Sequence, residues 1–422
     1  MRDLTAAARE AWLYALPLIE IATTRARGQA LGHSMGAFSH VRSLANPRHR
    51  AVTTPNNDTL YSTAQIDLSA GAFSLTLPAA GERYLSLALM DAYTNNFAIL
   101  GTRTTGQEGG TFRLVGPDDA PPADLADGTQ VLRSPTNHVW ALARILVDGP
   151  DDLEAARQVQ AGISAQGPPC PAPGPYASRA ADWPQYFASA AALMAANPAP
   201  ASDLALVRRI APLGLFEGFD PTRFSAAQVA DIEAGVAQAQ AQAKKGGLGG
   251  EAFIEGWSYP SSHLGDFGQD YAYRAAVALS GLAALPPAEA MYMRAQGDLK
   301  GDLFDGAKLW RLHFPADDHL PVNGFWSLSL YEATKDGQFF FTDNPLNRYA
   351  IGDRTPGLAR NDDGSLDIWM SHEEPARERR SNWLPAPAGP FALFMRAYLP
   401  KPQLLEGRYR LAPIEPYEAC KT

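Results

Sequence analysis

The chain has only two cysteines in 422 residues, Cys170 and Cys420. Two thiols so far apart make no metal-ligand spacing and no disulfide framework, and whether they pair is open. Long apolar runs are missing too. No segment approaches the roughly 18 apolar residues that a bilayer-spanning helix needs. Charge is sparse, at 19% of residues, and the balance is acidic, with a net charge of −9. The one basic patch, residues 377–380, is short and mixed, so no nucleic-acid footprint is expected. There is no Gly-x-Gly-x-x-Gly or phosphate loop, which argues against a nucleotide cofactor. There is no Gly-x-Ser-x-Gly elbow for a serine nucleophile. His313, Asp317, Asp318, His319 and His372 lack a tight ligand spacing such as His-x-His, so no metal is expected.

Turn formers, by contrast, are plentiful, with 36 glycines and 34 prolines. That favours a β-rich architecture, and the length favours two or three domains. Leu4, Ala8, Trp12 and Ala15 or Leu16 recur at helical spacing and predict a helix over 4–26. Pro17 should kink or divide it. This segment carries acids and no continuous apolar stretch, so it reads as a helix and not a signal peptide. A cytoplasmic location is the expectation. From residue 60 the period changes to two: Phe73, Leu75 and Leu77 alternate, as do Leu85, Leu87 and Leu89. Short strands at 112–115, 130–133 and 139–147 complete a small sandwich.

From about 150 the pattern turns helical, with helices expected at 152–164, 186–196, 203–210, 226–243 and 271–284. Ser225 is the expected N-cap of the fourth. Strands return near 305: Trp310, Leu312 and Phe314; then Trp326, Leu328 and Leu330, opposite Phe325, Ser327, Ser329 and Tyr331. Runs at 338–341, 366–371 and 391–399 follow, and suggest a larger sandwich of jelly-roll type. The expected class is thus α+β and β-rich. Residues 1–150 form a helix plus a small β-sandwich, 151–300 a helical middle domain, and 301–422 the second sandwich.

Two amide-rich turns stand out. Pro55-Asn-Asn-Asp-Thr-Leu-Tyr-Ser62 precedes one strand, and Asp91-Ala-Tyr-Thr-Asn-Asn-Phe97 follows another. Such residues shape turns by bonding their own backbone, and they also present polar heads to a ligand. Together with Gly101-Thr-Arg-Thr-Thr-Gly106, they suggest one loop-built polar site. In that reading Asp58, Asp91 and Tyr61 supply acid–base groups. Asn56, Asn57, Asn95, Asn96 and Arg103 position the substrate, and Arg348 adds a recognition group for an anion. Arg348 paired with Asp353 in a structural ion pair is the competing expectation. Such a site suits a cofactor-independent enzyme on a small organic molecule, by hydrolysis, elimination or cyclisation. The alternative is a non-catalytic carbohydrate- or small-ligand-binding protein. Neither reading calls for a nucleic-acid or membrane partner, and a homo-oligomer is left open.

These motifs carry a family likeness. With Pro135-Thr-Asn-His-Val-Trp140, Pro321-Val-Asn-Gly-Phe-Trp-Ser-Leu-Ser-Leu-Tyr331, Asn344-Pro-Leu-Asn-Arg-Tyr349, Ile351-Gly-Asp-Arg-Thr355 and Asn382-Trp-Leu-Pro-Ala-Pro-Ala-Gly-Pro-Phe391, the chain resembles the tandem family of domains of unknown function twelve-fifty-four and twelve-fourteen. The resemblance covers nearly the whole chain. It implies an immunoglobulin-like N-terminal sandwich, a helical middle piece and a C-terminal jelly roll, and brings no established activity.

Overall fold

Asp3 opens the first helix, Leu4–Ala30, by accepting the Ala6 amide on its side chain. The computed structural model describes residues 3–120, 125, 128–245 and 249–417, apart from the side chains of 249–252. Cys420 lies outside the described residues, and Cys170 is a free thiol. Pro17 does not divide the first helix, contrary to expectation. Packing on several sides holds the helix across the missing N–H: it lies against Ala226–Lys245, Tyr271–Ser280 and Trp183–Ala196. The contact with Ala226–Lys245 is close, since a Cβ on Gly235 would sit 2.2 Å from the Thr5 carbonyl oxygen. Ser225 caps that second helix as expected. Its hydroxyl accepts the Gln228 amide, and the Gln228 side chain accepts the Ser225 amide in return. The first helix therefore shares its main core with the middle helices (Trp12, Leu16, Phe187, Ile232), while Ile21 on its later turns packs with Met90, Trp140 and Leu142 of the sandwich that follows it in sequence.

The N-terminal sandwich has two sheets. The five-stranded one runs Ser39–Val41, Thr59–Asp67, His138–Leu146, Leu85–Asp91, Asn96–Gly101, all antiparallel. The four-stranded one runs Gln130–Arg133, Gly110–Val115, Phe73–Leu77, Ser164–Gln166. Leu60, Ala64 and Ile66 of the first meet Phe73, Leu75 and Leu114 of the second in one core, as the period-two alternation dictates. The five-stranded sheet is covered on its other face as well. That is why its central strand reads His-Val-Trp-Ala-Leu-Ala-Arg-Ile-Leu, almost without polar breaks.

The second sandwich pairs a seven-stranded sheet with a four-stranded one built on Trp310–Phe314 and Leu366–Ser371. Three strands of the larger sheet, Gly249–Ile254, Trp257–Pro260 and Ala290–Ala295, come from the stretch expected to be a helical middle domain. They pair in register with the strand Phe391–Tyr398, directly or through one another. Sheet pairing therefore extends the second sandwich back to about residue 249. Among the described residues, no helix is long and apolar enough to cross a membrane.

The two sandwiches meet face to face. Phe325 and Tyr398 of the seven-stranded sheet stack with ring centroids 4.1 Å apart, and Tyr84 of the N-terminal sandwich packs edge-on against both. Ser327, Ser329 and Arg396 lie on the same face of that sheet and are all buried there.

Candidate functional site

The first amide cluster is turned toward the second sandwich. Asn56 Oδ1 accepts the Asp58 amide at 2.7 Å, and its Nδ2 donates to the Tyr398 hydroxyl at 2.7 Å. Asn57 donates to the Ala45 carbonyl. Asp58 is 6% exposed, and its carboxylate accepts from Ser327 Oγ at 2.5 Å. Arg354 Nη2 lies 4.0 Å away from it.

The second cluster is a separate turn. Asp91 Oδ1 accepts the amides of Tyr93 and Asn95, and Oδ2 accepts from the Asn95 side chain. Burial pushes the Asp91 carboxyl up. Asn95 accepts the Phe267 amide, and Asn96 donates to the carbonyls of Gly265 and Ala284. The expected single site combining the clusters does not form. Thr59, next to Asp58, stands opposite Leu146, while Asp91 stands opposite Val139 on the same strand. Seven strand residues separate them by roughly 23 Å.

The expected basic residues are engaged elsewhere. Arg103 Nε donates to Glu289 at 2.5 Å, and Glu289 also accepts from the Tyr84 hydroxyl at 2.8 Å. Arg348 donates to the carbonyls of Ser381 and Trp383, and Asp353 has Arg354 as its cationic neighbour at 3.9 Å. The Arg348–Asp353 pair does not form, because Arg348 serves to anchor the 381–383 backbone. His313, an element of the loose metal set, bonds Asp367 at 2.7 Å.

Tyr61 is the expected residue that reaches open space. On the outer face of the five-stranded sheet, Tyr61 pairs with Arg144, Thr63 with Leu142 and Gln65 with Trp140. The last turns of the first helix pass over this face, leaving a cleft of about 290 Å³. Its floor is Tyr61, Trp140 and Leu142, and its far wall includes Thr24, Arg25, Gly28 and His33. Trp140 Nε1 donates to Thr63 Oγ1 at 2.7 Å, which fixes the indole as part of the floor. Among the described residues, the Tyr61 hydroxyl and the Gln65 amide have no hydrogen-bond partner.

Buried cations flank the cleft on two sides. Arg144 is 5% exposed, and its guanidinium lies 5.5 Å from the Tyr61 ring centroid. Its Nη2 donates to the Ala283 carbonyl, while Nη1 is buried without a partner among the described residues. Burial opposes the Arg144 charge, but the surrounding oxygens of Tyr61, Tyr292, Tyr84 and Tyr398 outweigh it and raise its pKa. Arg25 is 3% exposed and reaches His138 Nδ1 at 3.2 Å, and His138 Nε2 faces Asp67 at 3.4 Å. His138 Nδ1 thus accepts from Arg25, which places the imidazole proton on Nε2 toward Asp67. Burial lowers the Arg25 pKa.

Arg144, Tyr398, Glu289 and Arg25 were not singled out from the sequence. The signal for two of these buried cations was present in part. Arg144 interrupts an otherwise apolar strand and Arg25 lies in the last turns of a buried helix, and a lone charge in such a context marks a buried polar contact.

The comparisons agree with this architecture. A family model described as "Protein of unknown function (DUF1254)" matches residues 35–167, and one described as "Protein of unknown function (DUF1214)" matches residues 289–402. The chain is similar to the crystal structure of the VPA0106 protein from Vibrio parahaemolyticus, at 22% identity and a TM-score of 0.75 over 98% of this chain and 100% of that chain. That likeness shows a shared fold. An uncharacterized protein from Burkholderia cenocepacia is similar at 12% identity and a TM-score of 0.46, over 98% of this chain and 88% of that one. No curated protein matches the chain. Both domain models occur, in this order, on one continuous fold, and the protein belongs to the tandem DUF1254–DUF1214 family.

Proposed function

We propose that this protein binds a small, largely apolar organic molecule in the cleft between its first helix and the five-stranded sheet. The observation that supports this is an apolar floor combined with polar groups that have no partner among the described residues: Trp140 and Leu142 beside the Tyr61 hydroxyl and the Gln65 amide. Sites for small molecules have this character, with a concave apolar wall and a few placed polar groups. A thermal-shift screen of aromatic and aliphatic acids, esters and amides, read with Trp140 fluorescence, tests it. Tyr61→Phe and Gln65→Leu should each weaken a hit by about two- to tenfold, the range of one net hydrogen bond. Hits that bind both variants as tightly as the parent would place the ligand elsewhere.

An enzyme reading is favoured by one further feature. Tyr61 presents its hydroxyl to the cleft while the Arg144 cation lies against its ring. In this reading Tyr61 is the acid–base group of a cofactor-independent hydrolysis, elimination or cyclisation. Asp58 then acts from the layer behind, with Asn56 and Asn57 fixing its turn. Tyr61→Phe would abolish turnover while retaining binding, and Asp58→Asn would slow it. A carbohydrate ligand in the same cleft is the non-catalytic version. The same reading includes a cytoplasmic place, no nucleic-acid or membrane partner, no cofactor, and immunoglobulin-like and jelly-roll topologies for the two sandwiches.

A further inference from the structure

The second sandwich has a cleft of its own, independent of the one above. It opens at one end of the sandwich, between the two sheets, with a volume of about 240 Å³. Phe314 and Leu366 come from the four-stranded sheet and Trp326 from the seven-stranded one. The loops 353–360 and 319–320 complete it. The mouth of a β-sandwich or barrel is a common place for a small-molecule site, because the sheets hold a rigid rim of loops there.

Several polar groups on this rim are only partly engaged by the chain. Asp353 Oδ1 accepts the Trp326 amide at 3.2 Å, and no hydrogen bond reaches its second oxygen among the described residues. Burial lifts the Asp353 carboxyl to about 6, partly offset by the Trp326 amide and by Arg354. His319 Nε2 accepts from Arg360 Nη1 at 3.1 Å, which places the imidazole proton on Nδ1, and Nδ1 has no partner among the described residues. Arg360 Nη1 also donates to the Gly364 carbonyl at 3.1 Å, and its Nη2 and Nε make no hydrogen bond among the described residues. Thr355 Oγ1 accepts the Gly352 amide at 2.8 Å and keeps its own proton to donate. Trp326 is 6% exposed, and its indole N–H has no partner in the described chain.

The geometry points to this mouth as a binding site for a small hydroxylated carboxylate, a hydroxy acid or sugar acid of a few carbons. Arg360 and His319 receive the carboxylate, Asp353 accepts a hydroxyl, and the Phe314–Trp326 floor takes the carbon chain. The guanidinium and the neighbouring imidazole form a donor pair for a carboxylate. The one available carboxylate oxygen calls for a donor on the ligand. The volume corresponds to about eight waters at ~30 Å³ each, room for about a six-carbon acid.

The test is titration calorimetry of the full chain at pH 8 with D-gluconate, D-galacturonate and lactate, against D-glucose and propionate. The sugars and acids that lack one of the two groups serve as controls. At least one hydroxy acid should bind, and each control should bind at least tenfold more weakly. Arg360→Gln and Asp353→Asn should each reduce the hydroxy acid's affinity about tenfold or more, while Tyr61→Phe leaves it unchanged. Arg360 is exposed, and the Asp353 side chain, 34% exposed, is replaced by an isosteric amide that can still accept the Trp326 amide, so the fold should persist; unchanged melting of the variants checks this. Absence of binding by all three acids, equal binding of a control, or binding indifferent to both variants would overturn the assignment.

Discussion

Ser327 and Asp58 lie 269 residues apart in the chain, and the serine hydroxyl donates to the aspartate carboxylate at 2.5 Å. This bond crosses from one sandwich to the other in a layer closed to water. Ser327→Ala would leave a buried carboxylate short of a donor and should cost about 1.5–3 kcal/mol, as for a hydrogen bond to a charge. Urea denaturation of the variant and the parent measures it. A change below about 0.5 kcal/mol would mean that water replaces the serine.

Asp67 gives the protein an acid-sensitive element. Burial opposes its charge, but the hydrogen bonds from His138 and Ser69 outweigh this and hold the carboxyl down at about 2. Its folded pKa is thus below the unfolded value of about 3.9. The stability it contributes is fully present above that unfolded value and is lost as pH falls through it toward about 2, on the order of 2 kcal/mol in all. Asp67→Asn should flatten this part of the stability–pH profile, read by denaturation between pH 5 and about 2. An unchanged slope would show that other carboxylates dominate.

Gly101 explains part of the conspicuous Gly101-Thr-Arg-Thr-Thr-Gly106 turn without any ligand. Its φ is +120°, and a Cβ there would lie 2.1 Å from the Leu85 carbonyl oxygen. Gly101→Ala should lose roughly 3 kcal/mol or more, combining backbone strain and a clash with a fixed sheet atom. The melting temperature reports it, and a tolerant variant would mean that the end of Asn96–Gly101 can shift.

Asp91 and Tyr61 should separate stability from binding. Asp91→Ala removes the acceptor for two backbone amides and one side chain in a buried turn, and should destabilise by about 2–4 kcal/mol. It should leave the affinity of a cleft ligand near the parent's once the protein is folded. Tyr61→Phe should do the reverse, with little change in melting and weaker ligand. Paired melting and binding curves on both variants check this, and the opposite pattern would return the site to the 91–97 turn.

The regular structure was largely legible. Period-two runs located strands such as Phe73–Leu77 and Trp310–Phe314, because each strand has one face on a core and the alternation records it. Helix spacing located Leu4–Ala30 and Ala226–Lys245, with Ser225 as a cap. The strands within 249–295 were missed. Short strands with few residues and glycine-rich entries carry little periodic signal, and what holds them is pairing with a partner about a hundred residues later.

Which polar residues would share a site was not legible. An amide or carboxylate written beside a strand reads the same whether it closes a turn, crosses to another domain or faces a cleft. Asp91 does the first, Asp58 the second and Tyr61, three residues further on, the third. The local sequence by itself determined the turns, the strand faces and the helix caps, because those are set by backbone conformation and side-chain spacing within a few residues. Tertiary structure alone decided that the Ser327, Ser329 and Arg396 face would be buried between sandwiches and that Tyr61 would stay open beside the first helix. Long-range packing decides which faces lose contact with water, and that loss gives a polar side chain a structural partner or leaves it free for a ligand.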